Sequence, residues 1–176
     1  AGVTLWNYFK DCLVGTSDTF KKNENIFGKV YFPRVIMPMS VVFSNLLKFG
    51  IQLLIFIAFY IYYVWFSQKD YLLTVHLNIF MFPMLVILMA LLGLGLGMII
   101  SSMTTKYRDL SFLVQFGVQL LMYGSAVMYP MSYFKIKLPE YYWLIEWNPI
   151  AVLVEAFRTI VLGLGDLDYN KLIYAA

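Results

Sequence analysis

Long apolar runs separated by short polar loops dominate the chain. Three runs cover Ile36 to Phe66, Leu77 to Ile100 and Leu110 to Tyr129, and a shorter one covers Leu5 to Val14. A helix rises about 1.5 Å per residue, so about 20 residues cross a hydrocarbon core of about 30 Å. Backbone groups inside a bilayer must be paired within their own segment, and these runs are too long for strands. The pattern therefore predicts an all-α, polytopic transmembrane helical bundle with about four spans.

A further apolar segment, from Ile150 to Leu162, is too short to be a span. Asn148-Pro149 is expected to open a helix here, because asparagine caps helix N-termini and proline is tolerated at the first helical position. Gly163 is its expected stop. Such a helix rises only about 20 Å, which is less than the thickness of the hydrocarbon core. We therefore expect a short external re-entrant helix in addition to the spans.

Lysine and arginine are concentrated in two loops, as is typical of cytoplasmic loops in membrane proteins. These side chains are Lys21, Lys22, Lys29, Arg34, Lys106 and Arg108. The loop between the second and third runs, Ser67 to His76, contains only Lys69. Alternating spans put both basic loops on one side. We therefore place them in the cytoplasm and the stretch after Pro130 outside.

Composition agrees with a membrane location and excludes several kinds of site. Of 176 residues, 61% are hydrophobic and 13% charged, whereas soluble domains have roughly 45–50% apolar and about 25% charged residues. A net charge of +3 gives little support to a nucleic-acid partner. One cysteine, Cys12, and one histidine, His76, leave no internal disulfide and no cluster of metal ligands. We predict no metal site.

The string from Lys29 to Arg34, KVYFPR, forms a basic and aromatic corner before the second run. Pro33 and Pro38 restrict the backbone there. Physical chemistry alone favours a membrane anchor, with the basic groups at lipid headgroups and the rings at the interface. Sequence resemblance favours a different role.

Three strings together resemble the permeases of bacterial ABC exporters for O-antigen, capsule and teichoic-acid polymers. They agree with that family in order and spacing, and the resemblance covers roughly Leu5 to Gly165. The strings are Asn23 to Arg34 followed by Pro38, Lys106 to Leu110 (KYRDL), and Asn148-Pro149 followed by Glu155 to Arg158 (EAFR).

The resemblance implies an architecture and a set of partners. Residues 1–176 would be part of a single permease domain of six spans, with the first and last spans missing. A second permease copy and a cytoplasmic ABC ATPase subunit would complete the transporter in the bacterial inner membrane, where the permease meets membrane lipid. ATP and Mg would bind to the ATPase subunit, because this chain has no Walker lysine motif. We expect no cofactor and no catalytic residue here.

Two sets of candidate site residues follow. The resemblance implies that the loop holding Tyr31 to Arg34 meets the ATPase, and our hypothesis gives coupling to one set: Lys29, Tyr31, Phe32, Pro33, Arg34, Lys106, Arg108 and Asp109. A conduit and its external gate are assigned to the other: Gln119, Tyr123, Tyr129, Asn148, Glu155 and Arg158. Gln115, Gln119 and Tyr123 are spaced by four and share one helix face. Tyrosine rings can stack on sugar rings, and the alternative is that these polar groups join helices.

The expected function is the transmembrane subunit of an ATP-driven exporter of lipid-linked polysaccharide. A permease for a small amphiphile or drug is one alternative. A membrane-embedded enzyme is another, although no Ser/His/Asp set or intramembrane acid pair is visible. Lys48 lies inside the second run and either snorkels or lines a pore. Gly93-x-x-x-Gly97 predicts close helix packing rather than a phosphate loop.

Overall fold

The computed structural model describes residues 1–23, 33–66, 81–107, 109–129, 131, 133–134, 142–162, 172 and 174. Within these ranges the chain forms helices and turns and no strand, which confirms the all-α prediction. The helices are α1 (Gly2–Ser17), α2 (Thr19–Lys22), α3 (Ile36–Phe66), α4 (Met81–Lys106), α5 (Leu110–Gly124), α6 (Tyr142–Glu146) and α7 (Pro149–Leu162).

Among the described residues, two helices, α3 and α4, are long and apolar enough to cross a membrane, and α5 is a shorter apolar helix. The bounds of α3 coincide with the predicted run. α4 continues to Lys106, beyond the predicted end at Ile100, while residues 77–80 lie outside the described part. A helical membrane bundle is thereby confirmed. The number of spans stays a prediction.

The centre of the bundle is α1, which the sequence indicated only as the short run from Leu5 to Val14. Its side chains Leu5, Trp6 and Phe9 are fully buried. α4 packs along one side of α1 and α3 along another, and α7 contacts it as well. Because α3, α4 and α7 pack around α1, its apolar side chains are shielded from solvent and lipid and form the core of the bundle.

Close packing between α1 and α4 depends on two glycines. A Cβ at Gly93 would lie 2.9 Å from Cβ of Cys12, and a Cβ at Gly97 would lie 2.6 Å from Cβ of Thr16. Between them, Gly95 has nothing within 4 Å of the same position. Small residues let membrane helices approach closely. The predicted packing role of Gly93 and Gly97 is therefore confirmed.

The contacts also give the direction of each long helix. Gly15, near the end of α1, lies against Val41 of α3, and Tyr8, earlier in α1, contacts Phe49, later in α3, so these two helices are antiparallel. Along α4, Gly93 faces Cys12 and Gly97 faces Thr16, so α4 runs parallel to α1. α3 therefore begins, and α1 and α4 end, at the same end of the bundle.

Two ends of the bundle can be defined from these directions. At the first, Lys21 Nζ donates to Ser111 Oγ over 3.3 Å, which places α2 beside the start of α5. We call this the basic end. At the other, a Cβ on Gly2 would lie 2.8 Å from the Val127 carbonyl oxygen and 3.0 Å from Nη2 of Arg158. We call this the Asn-Pro end.

α7 is buried against α1 and α4 rather than lying on the surface. Phe157 is fully buried, and its ring centroid lies 5.5 Å from that of Phe82 and 6.5 Å from that of Phe49. The helix begins at Pro149, as predicted. The predicted stop, Gly163, lies outside the described residues.

Much of the exposed surface of α3 is apolar, although Ser44, Lys48 and Gln52 are exposed on it as well. Leu47, Phe59 and Trp65 are 74%, 70% and 84% exposed, a degree of exposure that water would oppose and lipid tails would not. Near its end the rings of Tyr62 and Phe66 stack with centroids 5.4 Å apart. Aromatic residues are enriched at the membrane interface. The exposed face of α3 is therefore suited to lipid.

Candidate coupling surface and conduit

At the basic end, the described part of the predicted coupling set is exposed. Pro33 and Arg34 directly precede α3, and the Ile36 N–H donates to the Pro33 carbonyl over 3.1 Å. Arg34 is exposed beside this turn. The other members from this loop, Lys29, Tyr31 and Phe32, lie outside the described residues.

Lys106 and Asp109 lie at the same end, Lys106 as the last residue of α4 and Asp109 directly before α5. Nζ of Lys106 is 5.3 Å from the centroid of the Tyr107 ring, and Asp109 is exposed at the start of α5. Nearby, the buried hydroxyl of Thr104 donates to the Ser17 carbonyl over 3.0 Å, which ties the ends of α4 and α1 together. Arg108 lies outside the described residues. The basic end thus has exposed charged side chains next to a buried hydrogen bond that joins α4 to α1.

The polar side chains of α5 lie outside the face that packs on the core. Val118 is buried on that face, whereas Gln115, Gln119 and Tyr123 are exposed. We call these three residues the α5 stripe. Exposed apolar side chains, including Phe116 and Leu120, cover the remaining face. α5 therefore has a packed, a polar and an apolar face.

A pair of tyrosines follows the end of α5. The rings of Tyr129 and Tyr133 are stacked, with centroids 5.3 Å apart and planes at 22°. About half of each side chain is exposed. The pair follows the turn at which α5 ends. Aromatic side chains therefore continue along the chain beyond Tyr123, the last residue of the α5 stripe.

α5 was predicted to reach Tyr129 and instead ends at Gly124. Ala126 has a φ of 50°, a value that breaks a right-handed helix. Side chains from α7 and its cap bind the carbonyl groups that this turn leaves without a helical partner. Tertiary contacts therefore end the helix where its apolar sequence would allow it to continue.

Asn148 makes contacts in two directions at this turn. Its Oδ1 accepts from the Ile150 N–H over 3.0 Å and so caps α7. Its Nδ2 donates to the Gly124 carbonyl over 3.3 Å and to Ser125 Oγ over 3.1 Å. One side chain thus joins the beginning of α7 to the end of α5.

Glu155 and Arg158 form an ion pair on one face of α7, with Nη1 and Oε2 2.6 Å apart. Each side chain is only 11% exposed. Arg158 Nη2 also donates to the Val127 carbonyl over 3.0 Å and to that of Ala126 over 3.5 Å. We call the contacts of Asn148 and Arg158 with residues 124–127 the α5–α7 joint. A gating role for Asn148, Glu155 and Arg158 stays a prediction.

One polar site was missed by the sequence reasoning. Asp11 on α1 and Ser44, Asn45 and Lys48 on α3 line a pocket of about 340 Å³. Asn45 is buried, and Asp11 is half-buried. The signal was available, since an acid and a base each interrupt an apolar run, but their meeting depends on how the helices pack. Within the described ranges, no group of three or more His, Cys, Asp or Glu residues could hold a metal ion.

Comparisons with known proteins identify the family of this chain. The ABC-2 type transporter membrane family matches residues 2–162. Two O-antigen export system permease proteins RfbA from Klebsiella pneumoniae are 25% and 24% identical, over 98% and 96% of this chain and 63% and 61% of their own lengths. A protein of the same name from Myxococcus xanthus is 24% identical over 90% of this chain and 58% of its own length.

The chain spans less than two thirds of the length of these relatives. The family match, in contrast, covers nearly all of the described helices, from the start of α1 to the end of α7. This chain therefore belongs to the ABC-2 type transporter membrane family.

Proposed function

We propose that this chain is the transmembrane subunit of an ATP-driven exporter that moves a lipid-linked polysaccharide across the bacterial inner membrane. The family supports an ABC transporter, and the names of the relatives support O-antigen-like cargo. The observation that carries the proposal is the α5 stripe, a row of exposed polar groups on an otherwise apolar helix.

The stripe argues for a polar path because hydrocarbon is a poor environment for it. An amide or phenol without a hydrogen-bond partner in an apolar medium costs several kcal/mol. Gln115, Gln119 and Tyr123 therefore face water or the second permease copy in the assembled transporter. Two stripes facing each other would form a conduit between the copies, extended outward by Tyr129.

The chemistry of the stripe suits a polymer that slides. Each amide both donates and accepts hydrogen bonds, as does each sugar hydroxyl. The Tyr123 and Tyr129 rings offer flat apolar faces to sugar rings while their hydroxyls remain free to bond. Several weak and similar contacts allow successive sugars to replace one another along the path, whereas one high-affinity site would stop the movement of the glycan.

Coupling to a cytoplasmic ATPase, which would carry ATP and Mg, belongs to the basic end. Lys29, Tyr31, Phe32, Pro33, Arg34, Lys106, Arg108 and Asp109 are the proposed contact residues. Movement there would reach the Asn-Pro end through α1, because α3 and α4 both pack against it. Asn148, Glu155 and Arg158 would then respond as parts of the external gate.

Replacing the polar groups of the stripe tests the cargo path. Gln119→Leu in the full-length permease with its ATPase should lower export of the lipid-linked glycan several-fold and leave the ATPase bound. Leu120→Ala is the matched control, since Leu120 is an exposed neighbour on the apolar face. Unchanged export in Gln119→Leu and in Tyr123→Ala would contradict the proposal. Stimulation of ATP turnover by a small amphiphile, and not by the glycan, would assign a different cargo.

Arg34→Glu tests the coupling assignment. Arg34 is exposed at the basic end, so its replacement should leave the fold intact and weaken a contact with an acidic partner surface. We expect less ATPase subunit to copurify and export to fall in proportion. Lys22→Glu is the control, since Lys22 is also exposed there but pairs within its own chain with Asp18 at 3.5 Å. Equal copurification in Arg34→Glu and the unmodified permease would defeat the assignment.

A further inference from the structure

The pocket between α1 and α3 lies inside the predicted membrane region. Lys48 follows the start of α3 at Ile36 by about 18 Å along the helix axis, and Asp11 lies about two turns before the end of α1. An ionised side chain at the centre of a bilayer costs roughly 2.5–3.5 kcal/mol on insertion scales. Asp11 is half-buried and Lys48 is exposed, so both charged groups remain accessible to water, a partner or a ligand.

Asp11 and Lys48 reach the same pocket from different helices. The ion pairs found within the described part of the chain, Lys22–Asp18 and Arg158–Glu155, include neither of them. Both groups line the same pocket of about 340 Å³, a volume within the size range of small-molecule sites. A pocket lined by opposite charges favours a guest that can bind both.

A line of polar residues along α1 leads away from Asp11. Thr4, Asn7 and Asp11 share one helix face by their spacing, and all three are half-buried rather than covered by the bundle. From Thr4 to Asp11 the line extends about 10 Å. Hydrogen-bonding groups thus run from the pocket towards the Asn-Pro end of the bundle.

The set of groups in the pocket points to a neutral, hydroxyl-rich guest. It comprises a carboxylate, an ammonium, an amide and a hydroxyl, so it offers both donors and acceptors. A phosphate would be attracted by Lys48 and repelled by Asp11, and a cation would meet the reverse. A sugar ring presents several hydroxyls that each donate and accept, and it can use every one of these groups.

We propose that the pocket formed by Asp11, Ser44, Asn45 and Lys48 binds sugar hydroxyls of the glycan in transit, as a second station apart from the α5 stripe. This rests on the proposed export of a glycan. Gly15 lets α1 and α3 approach closely beside the pocket, because a Cβ there would lie 2.6 Å from a methyl group of Val41 and 3.7 Å from Nδ2 of Asn45. Lys48 then acts as a ligand of the cargo.

Charge removal tests the role of the ionised groups. Asp11→Asn and Lys48→Gln keep the approximate shape and hydrogen-bonding capacity of each side chain while removing its charge. Each should raise the apparent KM for glycan export roughly 10-fold, the effect of losing one charge-assisted hydrogen bond, and leave the ATPase associated. Lys10→Gln is the control, because Lys10 is the neighbouring half-buried cation on α1 and does not line the pocket. An unchanged KM in both variants would overturn the proposal.

Photo-crosslinking separates this proposal from the export function itself. A photo-reactive amino acid would replace Ser44, Gln119 or, as a control, Leu54, which is 68% exposed on α3. The full-length permease with its ATPase would then be stalled with labelled glycan in membrane vesicles. Glycan attached at Ser44 and Gln119, and not at Leu54, supports both proposals. Glycan at Gln119 alone, with phospholipid or nothing at Ser44, overturns the pocket assignment and leaves the export function standing. Glycan at neither site overturns the export function.

Discussion

At the α1–α4 contact, individual residues determine how closely the two helices approach. In a membrane this packing has no hydrophobic effect to drive it. Lipid tails are as apolar as the side chains, so membrane helices associate largely through close van der Waals contact and internal hydrogen bonds. Gly93 and Gly97 provide the closeness, and the bond from Thr104 to the Ser17 carbonyl provides a polar anchor.

Gly97→Ala should destabilise the permease, whereas Gly95→Ala should not. The new methyl group at position 97 would lie 2.6 Å from Thr16 Cβ and 2.9 Å from the Leu13 carbonyl oxygen, and the backbone atom cannot move aside easily. Overpacking of this kind costs about 1–3 kcal/mol, while both variants gain up to about 1 kcal/mol of helix propensity. Thermal unfolding of the detergent-solubilised full-length permease measures the difference. Equal Tm values for the two variants would disprove the close contact.

Arg158→Met should be strongly destabilising, because it leaves the buried Glu155 carboxylate without a counter-charge. Breaking one side of a buried pair costs on the order of 3–5 kcal/mol, and replacing both sides with apolar residues is far milder. The double variant Arg158→Met/Glu155→Leu should therefore regain most of the lost stability, although the bonds to the Ala126 and Val127 carbonyls remain absent. Chemical unfolding in detergent provides the comparison. A double variant no more stable than Arg158→Met would refute the buried ion pair.

At the scale of the helices, α5 and α7 are joined by hydrogen bonds at the Asn-Pro end. α5 ends in a turn whose carbonyl groups are bound by Asn148 and Arg158, and the same Asn148 caps α7. A displacement of the end of α5 therefore carries the start of α7 with it. The two helices are therefore expected to move together at this end of the bundle.

Asn148→Asp and Asn148→Ala should separate the two functions of this side chain. Aspartate retains the acceptor for the Ile150 N–H but loses the donor to Gly124 and Ser125, whereas alanine loses both. Loss of an N-cap costs about 0.5–2 kcal/mol. Amide hydrogen exchange should accelerate at residues 124–127 in both variants, and in the first turn of α7 only in Asn148→Ala. Equal exchange in the first turn of α7 for both variants would contradict the capping role.

At the scale of the whole molecule, the helix directions separate two groups of residues. Lys21 and Lys106 lie at the basic end, while Gly124 and Asn148 lie at the other. The alternation of α1, α3, α4 and α5 agrees with the orientation that the distribution of lysine and arginine predicts. Export requires these ends to face different compartments.

Labelling from both sides of the membrane tests that separation. In a Cys12→Ser background, Lys21→Cys and Lys106→Cys should react only with reagent supplied from the cytoplasmic side, because both replaced side chains are exposed at the basic end. Trp147→Cys, also exposed, should react only from outside. If all three cysteines react from the same side, the orientation and the exporter proposal fail together.

The sequence by itself determined the helical class, the bounds of α3, the start of α7 at Pro149 and the packing role of Gly93 and Gly97. These features depend on hydrophobic runs, capping residues and small-residue spacing, which act over a few neighbouring positions. The three strings that resemble polysaccharide export permeases can likewise be identified from the sequence alone. The family match confirms the ABC-2 type transporter family.

Only the tertiary structure decided which faces meet. It made α1 the centre of the bundle, ended α5 at Gly124, turned Glu155 and Arg158 inward, and brought Asp11 to the pocket of Lys48. Each outcome joins residues distant along the chain, and a helical repeat specifies a face without specifying its neighbour. Contacts between helices supply that information, because close packing and hydrogen bonding select one arrangement among many that the same hydrophobic pattern allows.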